Sequence, residues 1–164
     1  MDLVPLSRVH ALLAPDPGTG TEPGAGPLLA RLLSAAELVA SRTPGGAPDP
    51  SGIAGRLAAK EAVFKLLGSV GKPVPWQGIE VLRGPGGRPG VRLSGRAAEL
   101  ARTAGIGPID VSISHDAGFA IAVAAATATA TATASASASV PDRPVPDRPV
   151  PDRPVPDRPV PLDQ

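Results

Sequence analysis

Apolar and polar positions recur along this chain in two rhythms, and the helical one is clearest in its middle. Ile53, Leu57, Lys60, Phe64 and Leu67 are spaced by four, three, four and three residues, the repeat of one buried helical stripe. The stripe predicts a helix capped at Ser51 and stopped by Gly68. Leu28–Ser41 is a second helical region. Within it Ser34 and Glu37 have capping-box spacing, so a fresh helix starts at Ser34. Residues 2–4 read as the end of a strand that enters a helix over 5–13. Ala14–Pro27 and Thr43–Pro50 are clusters of helix breakers and read as loops.

After Pro75 the rhythm shortens to two. Residues 76–83 alternate, with Ile79, Val81 and Arg83 on one side. A Gly/Pro turn follows, and Val91–Leu93 returns, which predicts a hairpin. Ser94 caps a helix that Gly105 ends. Ile109, Val111 and Ile113 define a further strand, residues 115–118 turn the chain, and Phe119–Ala125 runs back. Separate helices and antiparallel hairpins together indicate an α+β fold.

The tail is different. From Thr127 the chain alternates Ala-Thr and Ala-Ser, and four copies of Val-Pro-Asp-Arg-Pro follow. Small side chains cannot supply a buried face, and two prolines in five residues exclude helix and central strand. We therefore divide the chain into a folded domain, 1–126, and a low-complexity tail, 127–164, extended in polyproline-II segments. Residues 1–126 hold 12 Lys/Arg against 10 Asp/Glu, and the tail holds 4 against 5. Neither part is a polycation. With only Phe64, Trp76 and Phe119 as aromatic residues, a base-stacking nucleic-acid platform is not expected. No stretch has the length of a membrane span and no signal peptide is evident, so the expected compartment is the cytoplasm.

The central helix carries charge where a helix should not. Lys60 interrupts the apolar stripe, Arg56 lies one turn below it, and Glu61 precedes Lys65 at i,i+4. Three cations around one carboxylate suggest an anion site, with or without a metal. Simpler roles compete: Glu61–Lys65 as a surface ion pair, Lys60 snorkelling to water, Arg56 paired with Glu61 or a distant acid, and His115 bonding its neighbour in a turn. The chain has no cysteine and only two histidines, His10 and His115. Any metal should therefore be hard and oxygen-liganded, Mg2+ or Ca2+. His10 has no motif around it and reads as surface.

Several segments, in order, carry a resemblance. They are Asp2-Leu3-Val4 with Arg8-Val9; Arg31-Leu32-Leu33-Ser34 with Glu37-Leu38; Gly55-Arg56-Leu57-Ala58-Ala59-Lys60-Glu61-Ala62 with Lys65; Ile79-Glu80-Val81; Gly87-Arg88-Pro89; and Val111-Ser112-Ile113-Ser114-His115-Asp116. Together they make residues 2–125 similar to the holo-acyl-carrier-protein synthases, the short trimeric class of 4′-phosphopantetheinyl transferases. The resemblance implies the pseudo-two-fold α+β fold of that family and a homotrimer with coenzyme A in clefts between subunits. It implies Mg2+ on Asp2 and Glu61, a phosphate-side lysine at Lys65, and a ligand contact at His115. Lys60 and Arg56 join Lys65 as expected phosphate-charge stabilisers. Glu61 and Lys65 are the expected catalytic residues.

The implied reaction moves 4′-phosphopantetheine from coenzyme A to a serine of an apo acyl carrier protein and releases adenosine 3′,5′-bisphosphate. Cleaving a pyrophosphate bond requires a hard cation and positive side chains, which suits this set of residues. One departure stands out. The family aspartate ends a strand in a Gly-x-Gly-x-Asp run, whereas only Met1 precedes Asp2 here. The first strand is thus expected to be missing and Asp2 poorly anchored, through a late start or a true truncation. A truncated, weakly active homologue that binds coenzyme A and carrier protein is the alternative function. A structural linker, suggested by the tail alone, is a third.

Overall fold

A computed structural model describes residues 1–14, 26–68 and 75–129. The readings made for most of the Ala14–Pro27 loop and for nearly all of the tail lie outside the described residues.

Strand β1 (Asp2–Pro5) leads into helix α1 (Leu6–Leu13). Helices α2 (Pro27–Leu32), α3 (Ala35–Ala40) and the long α4 (Pro50–Leu66) follow. A short 3-10 turn precedes β2 (Ile79–Arg83), which pairs with β3 (Pro89–Leu93). Helix α5 (Gly95–Thr103) then leads to β4 (Ile106–Asp116) and β5 (Phe119–Ala128). The strands form one antiparallel sheet in the order β1-β5-β4-β3-β2. The α+β reading stands, and β5 runs two residues past the boundary drawn at 126.

Residues 2–4 are strand as expected, and Asp2 is anchored in it rather than loose. Asp2, Leu3, Val4 and Pro5 lie opposite Ala122, Ile121, Ala120 and Phe119, and Val4 is fully buried. The Leu6 amide extends the pairing by donating to the Gly118 carbonyl at 2.8 Å. The residues after Asp2 do the anchoring, by zipping onto β5. The β4–β5 turn has positive φ at Ala117 and Gly118, the pattern of a tight hairpin turn whose twist matches the strands.

Helix α4 lies over the sheet, mostly on β5 and β1, and is buried on more than one stripe. Ile53 through Lys60, with Ala62 and Val63, are all buried. Ala54, Ala58, Ala59 and Ala62 share a core with Ala120 and Ala122 of β5, so helix and sheet approach through methyl groups. The N-cap position falls on Asp49 and not Ser51, because Pro50 takes the first helical position where its missing N–H costs nothing. Gly68 ends the helix at φ +58°.

The elbow between α2 and α3 has the predicted capping box. The Glu37 amide donates to Ser34 Oγ, and the Ser34 amide donates to Glu37 Oε2. Glu37 also has a longer-range task. Its Oε1 accepts the Val81 amide at 2.8 Å, which satisfies a donor of the edge strand β2.

Candidate active site

The predicted site residues separate into three groups around α4, and one residue leaves the set. Lys60 is fully buried. Its Nζ lies 2.5 Å from Glu37 Oε2 and donates to the Leu32 carbonyl at 2.8 Å. It neither snorkels nor faces a ligand, which corrects the phosphate-binding role. Burial lowers its pKa, and the hydrogen bond and charge of Glu37 oppose that. Nearby, Ser34 Oγ donates to Glu80 Oε1 at 2.6 Å, and Glu80 also meets Arg92.

The second group joins β1 to the middle of α4. The carboxyl groups of Asp2 and Glu61 stand close enough to share a proton. Lys65 Nζ lies 3.2 Å from Asp2 Oδ1, and Arg8 of α1 lies 3.6 Å from Glu61 Oε1. Lys65 thus pairs with Asp2, and the i,i+4 pairing with Glu61 gives way. The Leu3 amide donates to Asp2 Oδ1 at 2.8 Å. Burial, then the hydrogen bond and negative charge of Asp2, push the Glu61 carboxyl up to about 7. Burial also raises Asp2. The hydrogen bonds from Glu61, the Leu3 amide and Lys65 outweigh it and hold Asp2 below the ordinary carboxylate range. Without a cation, the pair therefore keeps one proton near neutral pH.

The third group lines a cavity of about 240 Å3 between α4, the β2–β3 hairpin and the end of β4. Its walls include Arg56, Gly55, Arg83, Gly87, Pro89 and His115. Arg56 is buried at 6% exposure. Its Nη1 donates to the Gly52 carbonyl and its Nη2 to the Ala40 carbonyl, both at 3.0 Å, not to Glu61. Its Nε is buried without a partner. Desolvation lowers its pKa, and Arg83 adds to this against Glu37 and Asp49. His115 Nε2 lies 2.9 Å from the Ser51 carbonyl. A carbonyl only accepts, so this nitrogen carries the hydrogen.

Two cavity residues and one carboxylate partner were missed in the sequence. Arg83 was read only as a strand position, and Gly55 and Arg8 only as parts of matching segments. For Arg8 the signal was present, since it follows Asp2 by six residues across one strand–helix junction.

Asp2 and Glu61 are hard oxygen donors that come together, which is what Mg2+ takes from protein when phosphates and water complete its shell. Among the described residues no group of three or more His, Asp or Glu forms a fuller cage. The arrangement is therefore that of a phosphoryl-type transferase: a carboxylate pair with flanking cations, and a separate basic cavity.

Sequence and fold comparisons agree. Residues 2–124 match the 4′-phosphopantetheinyl transferase superfamily, and the chain belongs to it. The holo-[acyl-carrier-protein] synthase of Moorella thermoacetica is 40% identical over 123 residues, covering 73% of this chain and 85% of that protein. The Helicobacter pylori holo-[acyl-carrier-protein] synthase, solved in complex with coenzyme A, superposes with a TM-score of 0.58 at 30% identity. It covers 77% of this chain and 96% of its own. The Chronobacterium ammoniagenes synthase–coenzyme A complex gives 0.59 at 31% identity, over 78% and 94%.

Proposed function

We infer that this chain transfers 4′-phosphopantetheine from coenzyme A to a serine of an apo acyl carrier protein, for fatty-acid or polyketide synthesis. The observation that carries the reading is the Asp2–Glu61 pair flanked by Lys65 and Arg8. The serine oxygen attacks the phosphorus on the pantetheine side. The bond to the bridging oxygen breaks, and that oxygen leaves on adenosine 3′,5′-bisphosphate. Asp2 and Glu61 would hold Mg2+, which when bound supplies positive charge to the phosphate oxygens. We assign the serine proton to Glu61. Lys65, 60% exposed beside the pair, offsets the charge that grows on the leaving group. Arg56 and His115, which line the basic cavity, bind the adenosine bisphosphate end.

A homotrimer fits the geometry. Arg56 and Glu61 lie about 140° apart around α4, so the basic cavity and the carboxylate pair open on different sides of one chain. A ligand that spans both is better served by the cavity of one copy and the carboxylates of the next. The outer sheet face supports this, since Leu3, Phe119, Ile121 and Val123 leave 37–48% of their surfaces exposed there. A carrier protein completes the set of partners, and the cytoplasm is the compartment we assign. Among the described residues no helix is long and apolar enough to cross a membrane.

The test is direct. The protein is incubated with coenzyme A, Mg2+ and an apo carrier protein, and the carrier is weighed by mass spectrometry. A gain of one phosphopantetheine is expected. Glu61→Gln should lose transfer at limiting Mg2+, and full activity in that variant would overturn the assignment of the pair.

A further inference from the structure

Gly55 stands in the interior of α4, where glycine is the least favourable residue after proline. Its position explains why no side chain is there. A Cβ at residue 55 would lie 2.9 Å from His115 Nε2, 3.2 Å from His115 Cε1 and 3.0 Å from Ile113 Cγ2. The imidazole is therefore seated on the bare backbone of α4, within hydrogen-bond reach of the Ser51 carbonyl one turn earlier. Both residues line the basic cavity together with Arg56.

We propose that Gly55 is a positioning residue: the missing Cβ creates the seat that fixes the His115 ring in the coenzyme A cavity. The proposal rests on the coenzyme A reading above. His115 is an exposed residue. A methyl group at residue 55 would therefore displace the imidazole before it unfolds the helix. With the Ser51 bond lost, His115 keeps its chemistry but loses its aim.

The experiment uses Gly55→Ala, His115→Ala and the double variant. The chain has only two histidines, so nitrogen NMR of the free protein separates His115 from His10. In Gly55→Ala the His115 ring signals should move to those of an unbonded imidazole while His10 stays unchanged. The KM for coenzyme A should rise about tenfold, the worth of one lost hydrogen bond to a charged group, with kcat changed by about twofold or less. Adding Gly55→Ala to His115→Ala should raise KM no further. Unmoved His115 signals, or losses that multiply in the double variant, would overturn the proposal. So would a Gly55→Ala chain that fails to fold and is not rescued by His115→Ala, because the clash would then lie with Ile113. If the wild type neither binds coenzyme A nor transfers, the functional reading fails, and the ring signals still decide the seat.

Discussion

Replacing Glu37 with glutamine should cost this protein much of its stability, and the network around Lys60 sets the size. Both side chains are fully buried at 2.5 Å separation. The ammonium has one other partner, the Leu32 carbonyl. Glu37 Oε2 receives Lys60 and the Ser34 amide, and Oε1 receives the Val81 amide. A glutamine can keep the Val81 bond through its oxygen, but its NH2 then faces two donors. Removing one partner of a buried pair costs about 3–5 kcal/mol, against a total of about 5–15 kcal/mol for a domain of this kind. Lys60→Met should fall near the lower end, because the Glu37 carboxylate keeps two backbone donors. The double variant Glu37→Gln/Lys60→Met should be more stable than Glu37→Gln alone, since the unpaired ammonium is gone.

Urea unfolding followed by circular dichroism measures all three. It also carries a signature of sign. Burial already disfavours the Lys60 ammonium, and in Glu37→Gln only the charge of Glu80 opposes that. The unfolded chain then binds the proton better than the folded one, so stability rises with pH, by up to about 1.4 kcal/mol per unit, until lysine itself loses its proton near 10.4. A loss below about 1 kcal/mol in Glu37→Gln would refute the reasoning. So would a Lys60→Met protein of normal stability with weakened coenzyme A binding, which would return Lys60 to the ligand.

Two further outcomes are expected. Because the Glu61 carboxyl is raised to about 7, Mg2+ must displace a proton below that pH. Titration calorimetry at pH 6 should show roughly one proton released per ion and at pH 8.5 almost none; binding that is flat across this range would count against ligation by the pair. The same raised group makes the metal-free protein lose stability as pH climbs from 4.5 towards 7, where the unfolded chain has already ionised. On the outer sheet face, Ile121 sits between Leu3 of β1 and Ser114 of β4. Ile121→Asp should disperse the oligomer in sedimentation velocity, and a wild type that sediments as a monomer would remove the trimer from the proposal.

What could be read from the sequence was local. The hairpins, the capping box and the stop at Gly68 follow from residues within a few positions of one another. The burial of α4 on more than one stripe was not legible, because the alanines and glycines that let it approach the sheet carry almost no hydrophobic contrast. The fate of Lys60 was hidden for another reason. Glu37 is 23 residues away, and the capping box seemed to use its carboxylate fully. The anchoring of Asp2 depends on Ala122 at the far end of the domain, a pairing that no local pattern encodes. Asp2, Glu61 and Lys65 were found together only because their motifs resembled a family.

The place of Lys60 bears on the site even though it touches no ligand. Arg56, Lys60 and Glu61 project from one helix in three directions, and the outer two serve different halves of the proposed chemistry. Both halves stay in place only if the rotation of α4 is fixed. At a side-chain radius of about 5–6 Å, a 20° turn of the helix would move the Glu61 carboxyl by about 2 Å. That is enough to separate it from Asp2 or to break the ligation of a shared ion. Small alanines along the β5 contact resist such a turn weakly, because they present a nearly smooth surface. The ion pair resists it strongly: turning α4 pulls Nζ away from Glu37, and Glu37 is itself tied to α3 and to the edge of β2. Lys60 therefore acts as the pin of the helix, which accounts for a charged side chain at the centre of its buried stripe.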